Sequence, residues 1–181
     1  DMKRTLVALV ENKPGVLNRV ASLFRRRNFN IDSLTVGRTE APEVSRMTIV
    51  VEADAEKVQK QLYKLVNVIQ VEDVTDSPNV SRDLALIKVQ VDNDTRGQVT
   101  QLCDIFRAHI VDAGPDTVIV EVTGDEDKIT SMTELLRPIG ILEMVRTGVV
   151  TMTRGDRVLA PPDFYFATNG NRSNGFRQNV L

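Results

Sequence analysis

The apolar positions change their spacing several times along the first 75 residues, and each change marks an element. Leu6, Val7, Ala8, Leu9 and Val10 form a short, fully apolar run, so Lys3 to Val10 reads as a strand that stops at Glu11-Asn12-Lys13-Pro14-Gly15. From Val16 the period becomes helical: Val16, Leu17, Val20, Ala21 and Phe24 share one face. Asn28-Phe29-Asn30 ends that helix, because asparagine tolerates the left-handed turn that often follows a last helical residue. Ile31 to Arg38 and Val44 to Val51 are β-branched segments around a turn at Ala41-Pro42-Glu43, the signature of a hairpin. Asp54 can cap a second helix carrying Val58, Leu62, Leu65 and Val66, and Val68 to Val74 supplies a last strand. The order is βαββαβ.

The same order then returns. Asp76-Ser77-Pro78-Asn79 is rich in turn formers and reads as a linker. Leu84 to Val91 is a strand, Asp92-Asn93-Asp94-Thr95 offers helix caps, and Val99, Leu102, Cys103 and Phe106 follow at helical spacing. A hairpin is expected from Ala108 to Gly124 around Ala113-Gly114-Pro115-Asp116. Ile129, Met132, Leu135 and Leu136 mark a fourth helix, which Pro138 is expected to end, and Ile141 to Thr153 holds strand material broken at Gly148. Two helices per sheet and short antiparallel connections predict an α+β fold with two ferredoxin-like βαββαβ domains in tandem, helices on one face of each sheet. The expected boundaries are 1–76, 80–160 and a flexible tail at 161–181. That tail lacks periodicity but holds Phe164, Tyr165, Phe166 and Phe176, half of the eight aromatic residues; docking on a neighbouring surface and no role at all are both open readings.

Composition narrows the chemistry. The 181 residues carry 23 Lys and Arg against 25 Asp and Glu, a net charge of −2 that offers no long-range attraction to phosphate backbones or anionic lipids. A single cysteine, Cys103, excludes an internal disulfide framework, and a single histidine, His109, leaves His-based catalysis or metal binding thinly supplied. Cys103 falls on an apolar stripe and reads as core, His109 as structural or solvent-facing. Arg25-Arg26-Arg27 closes a helix and Asp125-Glu126-Asp127 opens one, and each suits the dipole at its end; nucleic-acid and metal binding there are the weaker readings. Apolar runs are too short to span a bilayer and the N-terminus has no secretory h-region, so a cytoplasmic protein is expected, with a removed leader left open.

The most informative element is the first turn, where a strand runs through a glycine straight into a helix. Free N–H groups at a helix start favour a carboxylate or phosphate. Gly15 presents no Cβ to an approaching ligand, and the Asn12 amide can both donate and accept. With Asn30 and Ile31 across the sheet, these residues describe a site for an apolar α-amino acid, although a capped turn without any ligand is the stronger reading of the residues alone.

The stretches Glu11-Asn12-Lys13-Pro14-Gly15-Val16-Leu17, Asn30-Ile31-Asp32-Ser33-Leu34-Thr35-Val36-Gly37 and Ser45-Arg46-Met47-Thr48-Ile49-Val50 closely resemble the small, regulatory subunit of acetolactate synthase. Ala85-Leu86-Ile87-Lys88-Val89 and Arg146-Thr147-Gly148 resemble the same family, and the resemblance spans roughly residues 2–158. It implies an N-terminal ACT domain, an ACT-like domain after it, and a homodimer whose ACT domains pair edge to edge with valine or another branched-chain amino acid bound between them. Carried onto this chain, the effector-binding residues would be Asn12, Gly15, Val16, Leu17, Asn30 and Ile31. Asn28 stands where family members often have glycine. The implied partner is the large catalytic subunit, which would hold thiamine diphosphate, a divalent metal and usually a flavin; no cofactor, metal or catalytic residue is expected in this chain.

Other classes fit less well. An enzyme needs an acid–base or nucleophile–base pair, and Lys13 is the only cation read at the first turn. An RNA-binding module of this topology stacks bases on aromatic residues, which Thr5 to Val10 and Arg46 to Val51 lack. A metal carrier would place cysteines at the first turn. A stand-alone amino-acid-sensing ACT protein that regulates another enzyme is the alternative closest to the leading one.

Overall fold

The structure is a computed structural model that describes residues 3–160, so the aromatic tail read at 161–181 lies outside the described residues. The first half comprises β1 (Lys3–Glu11), α1 (Val16–Arg26), β2 (Asn30–Arg38), β3 (Val44–Glu52), α2 (Ala55–Leu62) and β4 (Val68–Asp73). In the second half β5 (Asn79–Gln90) is followed by α3 (Asn93–Phe106), β6 (His109–Ala113), β7 (Thr117–Gly124), α4 (Glu126–Gly140), β8 (Ile141–Arg146) and β9 (Val150–Thr153). Strand orders are β2-β3-β1-β4 and β6-β7-β5-β8, the same order twice, and every pairing is antiparallel. The expected α+β fold with two antiparallel sheets and four helices is present, with β9 added alongside the first residues of β5.

Alternation along each central strand decides what the helices cover. Leu6, Ala8 and Val10 of β1 join Met47, Ile49 and Val51 of β3, and this face meets Val20 and Phe24 of α1 and Val58 and Leu62 of α2. Phe24 and Phe29 meet edge to face at 5.7 Å, closing the corner between α1 and β2. Asn28, with φ of 55°, makes the left-handed turn between them, the conformation for which glycine is the usual choice. In the second half Ala85, Ile87 and Val89 meet Val99, Cys103, Ile129, Met132 and Leu136, so Cys103 is core.

Part of the opposite face of the first sheet is also buried. Val7, Leu9, Val44 and Val74 pack there against Leu159, which arrives on the segment after β9. The whole stretch from Gly148 to Leu159 docks along the sheet. The Val149 N–H donates to Ser33 Oγ (3.2 Å), Arg46 Nη2 donates to the Thr151 carbonyl (2.8 Å), and Arg157 pairs with Glu72 (2.7 Å). The Arg146-Thr147-Gly148 run is the pivot. Arg146 is bonded to the buried carboxylate of Asp83 through Nε (2.8 Å) and Nη2, and the Thr147 N–H donates to the Leu84 carbonyl (2.9 Å). Gly148 lies so close to β2 that a Cβ would come within 2.5 Å of Ser33 Oγ, and closer still to Thr35 Oγ1.

Three local expectations are corrected. The linker expected at Asp76 to Asn79 is shorter and held in place: Asn79 already belongs to β5, Arg4 holds Asp76 (2.7 Å), and Arg154 bonds the Pro78 and Asn79 carbonyls. The second helix stops at Leu62, because tight i→i+3 turns at Lys64 and Leu65 rotate the chain and leave Val66 86% exposed. Pro138 does not end α4. It lies on the exposed side within the last turn, where the carbonyl it cannot serve, that of exposed Glu134, can turn to water, and Gly140 at φ 126° ends the helix instead.

Replacing Gly148 by valine would drive a branched side chain into β2. The expected cost is about 1–3 kcal/mol of overpacking, read as a lower urea midpoint than that of the parent chain. A midpoint that does not move would mean that the two halves are not held together at this contact.

Candidate functional site

Helix α1 begins unlike the others. Asp54, Asp92 and Asp125 cap α2, α3 and α4 through side-chain oxygens, and Asp92 closes a capping box with Thr95. Gly15 caps α1 with no side chain, and no acid stands in its first turn. Its φ of 83° turns the chain from β1 into the helix, and nothing lies within 4 Å of where a Cβ would be. The Val16 N–H reaches only the Lys13 carbonyl at 3.4 Å, and the Leu17 and Asn18 N–H groups have no partner among the described residues. Two amide donors and the positive end of the helix dipole thus open onto solvent.

Asn12 is held beside them. Its backbone N–H donates to the Glu43 carbonyl (2.7 Å) and its Nδ2 to the Pro42 carbonyl (2.8 Å). One of the two amide N–H donors is therefore used, and Oδ1 is left to accept from a cation. Below the loop, buried Asn67 donates through Nδ2 to Glu11 (2.6 Å) and accepts from Arg19 (2.6 Å), and its carbonyl takes the Glu11 N–H (2.8 Å). Lys13 also reaches Glu11, at 3.2 Å. The amide of Asn67 and the ammonium of Lys13 hold the Glu11 carboxyl below its usual value of 4.5. Reading Lys13 as the only cation of this turn was therefore incomplete. Arg19 is the second, although Asn67 already engages it.

The structure brings Asn12, Gly15, Val16 and Leu17 together and leaves Asn30 and Ile31 apart from them. Asn30 pairs with Glu52, which pairs with Lys3, so it stands at the start of β1 while the loop stands at its end. A nine-residue strand separates the two groups, roughly 25 Å at 3.3 Å per residue. Among the residues near the loop, Val16 turns its side chain into the core and could offer a ligand only backbone, whereas Leu17 is 47% exposed. Ile31 packs partly against the helix-facing core. Arg25 to Arg27 are exposed at the end of α1, and His109 is exposed at the start of β6. The thiol of Cys103 is pushed up by burial, which leaves it unreactive. Glu11, Asn67 and the Pro42-Glu43 carbonyls are site-building groups that the sequence did not single out; Asn67 lies 56 residues from Glu11, and no local spacing relates them.

Comparison with known proteins agrees with this architecture. Residues 82–155 match the family described as the small subunit of acetolactate synthase, and residues 6–70 match the AHAS small subunit-like ACT domain. A probable acetolactate synthase small subunit of Archaeoglobus fulgidus is 55% identical over 159 residues, covering 86% of this chain and 99% of that one. An acetolactate synthase small subunit of Mycobacterium bovis is 50% identical over 156 residues, covering 84% and 93%. The crystal structure of the small subunit from Thermotoga maritima superposes with a TM-score of 0.80 at 40% identity, covering 87% of this chain and all of that one.

The Glu11–Asn67 contact predicts a pH dependence. Because the folded Glu11 carboxyl is depressed, its stabilising contribution is whole above pH 4.5 and is lost as pH falls below that through the folded value. Glu11→Gln is expected to flatten this acid limb of the stability profile in urea titrations. Asn67→Ala, which strands Arg19 and Glu11, is expected to cost about 1–3 kcal/mol at neutral pH in the same measurement.

Proposed function

The chain belongs to the acetolactate synthase small-subunit family, and we propose that it is a regulatory partner that activates the catalytic large subunit and carries feedback inhibition by valine. The observation that carries the effector reading is the uncapped start of α1 at Gly15, with open amides and the Asn12 oxygen beside it. A zwitterion fits this arrangement term by term. Its carboxylate would accept from the Leu17 and Asn18 amides at the positive helix end, and its ammonium would donate to Asn12 Oδ1. The exposed Leu17 side chain would face its aliphatic part.

The separation of Asn30 and Ile31 from the loop becomes intelligible in a dimer. Among the described residues β2 is an edge strand, paired on one side only by β3. An antiparallel β2–β2 pairing about a two-fold axis would set Asn30 and Ile31 of one protomer against the far end of its partner's β2, and so beside the partner's first turn. Two equivalent half-sites would be completed this way. Valine would then favour one arrangement of the pair, and the catalytic subunit would be more active with the other. A coupling of about 1–3 kcal/mol supplies a 5–150-fold effect, which is ample for feedback. Thiamine diphosphate, divalent metal and flavin chemistry are assigned to the large subunit.

Co-purification with the large subunit, followed by acetolactate assays with and without valine, tests the proposal. The chain alone is expected to be inactive, and the complex is expected to be faster than the large subunit and sensitive to valine. Valine binding without any large-subunit contact would instead fit a stand-alone sensor. Asn12→Ala and Gly15→Asp are expected to raise the valine concentration for half inhibition by about tenfold or more, the effect of about 1.4 kcal/mol, with activation retained. Aspartate tolerates the left-handed turn and puts a negative charge where the effector carboxylate would lie. Calorimetry on the dimer that detects no heat with valine, leucine or isoleucine would remove the effector claim.

A further inference from the structure

A concavity lies on the helix-free side of the first sheet and shares no lining residue with the first turn. It measures about 400 Å³ between the β2–β3 hairpin and the segment that follows β9, and Arg38, Glu40, Arg46, Arg157, Met152 and Leu159 are among its lining residues. Arg46 is its distinctive group. The side chain is half-buried on β3, and among the described residues its single hydrogen bond goes to the neutral Thr151 carbonyl at 2.8 Å. Glu40 and Glu72 act on it only through space, and the carboxylate of Glu72 is already engaged by Arg157, which also donates to Ser77 Oγ (2.8 Å). Burial, which lowers its pKa, is the largest influence on the guanidinium, yet four of its five N–H donors have no partner among the described residues. A half-buried cation without a direct counter-ion leaves its fork free for an anion.

We propose that this cavity binds a small aliphatic carboxylate on the Arg46 guanidinium. The planar fork matches the two oxygens of a carboxylate, and Met152, Val158 and Leu159 on the facing wall suit an apolar body. Inorganic phosphate satisfies the charge but has nothing to place against that wall. The bound anion would bridge β3 of the first sheet to the segment crossing it, and so would favour the docked arrangement of the two halves. The site is independent of the effector reading, since it shares no residue with the first turn.

The chain has no tryptophan, so Val158→Trp creates a sole indole on the cavity wall as a fluorescent reporter. Titration of the full chain with isovalerate at constant ionic strength is expected to give a saturating signal. Adding Arg46→Gln is expected to weaken binding by about tenfold or more, and Arg46→Lys, which keeps the charge but loses the fork, to weaken it severalfold. Circular dichroism identifies variants that remain folded. The signal is expected to survive Asn12→Ala, which separates this site from the effector site. A curve that never saturates, one unchanged in folded Arg46→Gln, or equal binding of inorganic phosphate would overturn the proposal. Valine reproducing the curve in the Asn12→Ala background would also overturn it, because the cavity would then accept a zwitterion.

Discussion

A four-stranded sheet with two helices on one side still has another side, and in the first half of this chain that side carries an apolar patch. Val7 and Leu9 lie on a central strand and are fully buried, yet no helix of their own domain reaches them. Removing such residues from water is worth about 1.5–3 kcal/mol each, so the face needs a cover. The cover comes from the far end of the other half: the segment from Gly148 to Leu159 crosses the sheet and is held by Ser33, Arg46 and Glu72. The relation between the two domains follows from this one burial. Gly148 can sit against β2 only because it has no side chain, and Arg146 and Thr147 fix its approach by fastening β8 to β5.

The covering segment gives β2 a double role. Its outer edge has no strand partner among the described residues, while Ser33 and Thr35 touch the incoming pivot. Under the proposed function, the strand that meets the effector at Asn30 and Ile31 is also the strand that the second domain leans on. A change in pairing at the edge would then reach Gly148 within a few residues, with no chain of intermediates. The first turn, by contrast, is built to stay still. Asn67 ties its base to β4 and Arg19, and Asn12 is anchored twice to the hairpin carbonyls, so the open amides at Gly15 are presented on a rigid support.

Much of the fold could be read directly. The shift from an unbroken apolar run to helical spacing at Val16, the caps at Asp54 and Asp92 and the turn at Asn28 are all local, and the structure keeps each of them. The misreadings share one cause. Val66 fits the helical period by spacing, but a tightened turn rotates it outward; Pro138 forbids a helix interior, but it sits within the last turn. The residues from Asp76 to Asn79 look unsuited to structure, and they are ordered by partners more than 70 residues away. Local chemistry sets what a segment can do, and these three were decided by neighbours that local chemistry does not name.

The sequence by itself determined the two βαββαβ units, their helix-facing cores and the glycine that opens α1, because periodicity, caps and backbone freedom are properties of short stretches. It also carried enough long matching stretches to identify the family. Only the tertiary structure decided which segment covers the second face of the first sheet, that Asn67 builds the first turn from below, that Arg46 ends beside a cavity, and that Asn30 and the first turn stand at opposite ends of one sheet. Each of these depends on strand order and register, which bring residues far apart in the chain onto one face or hold them at opposite ends of a strand.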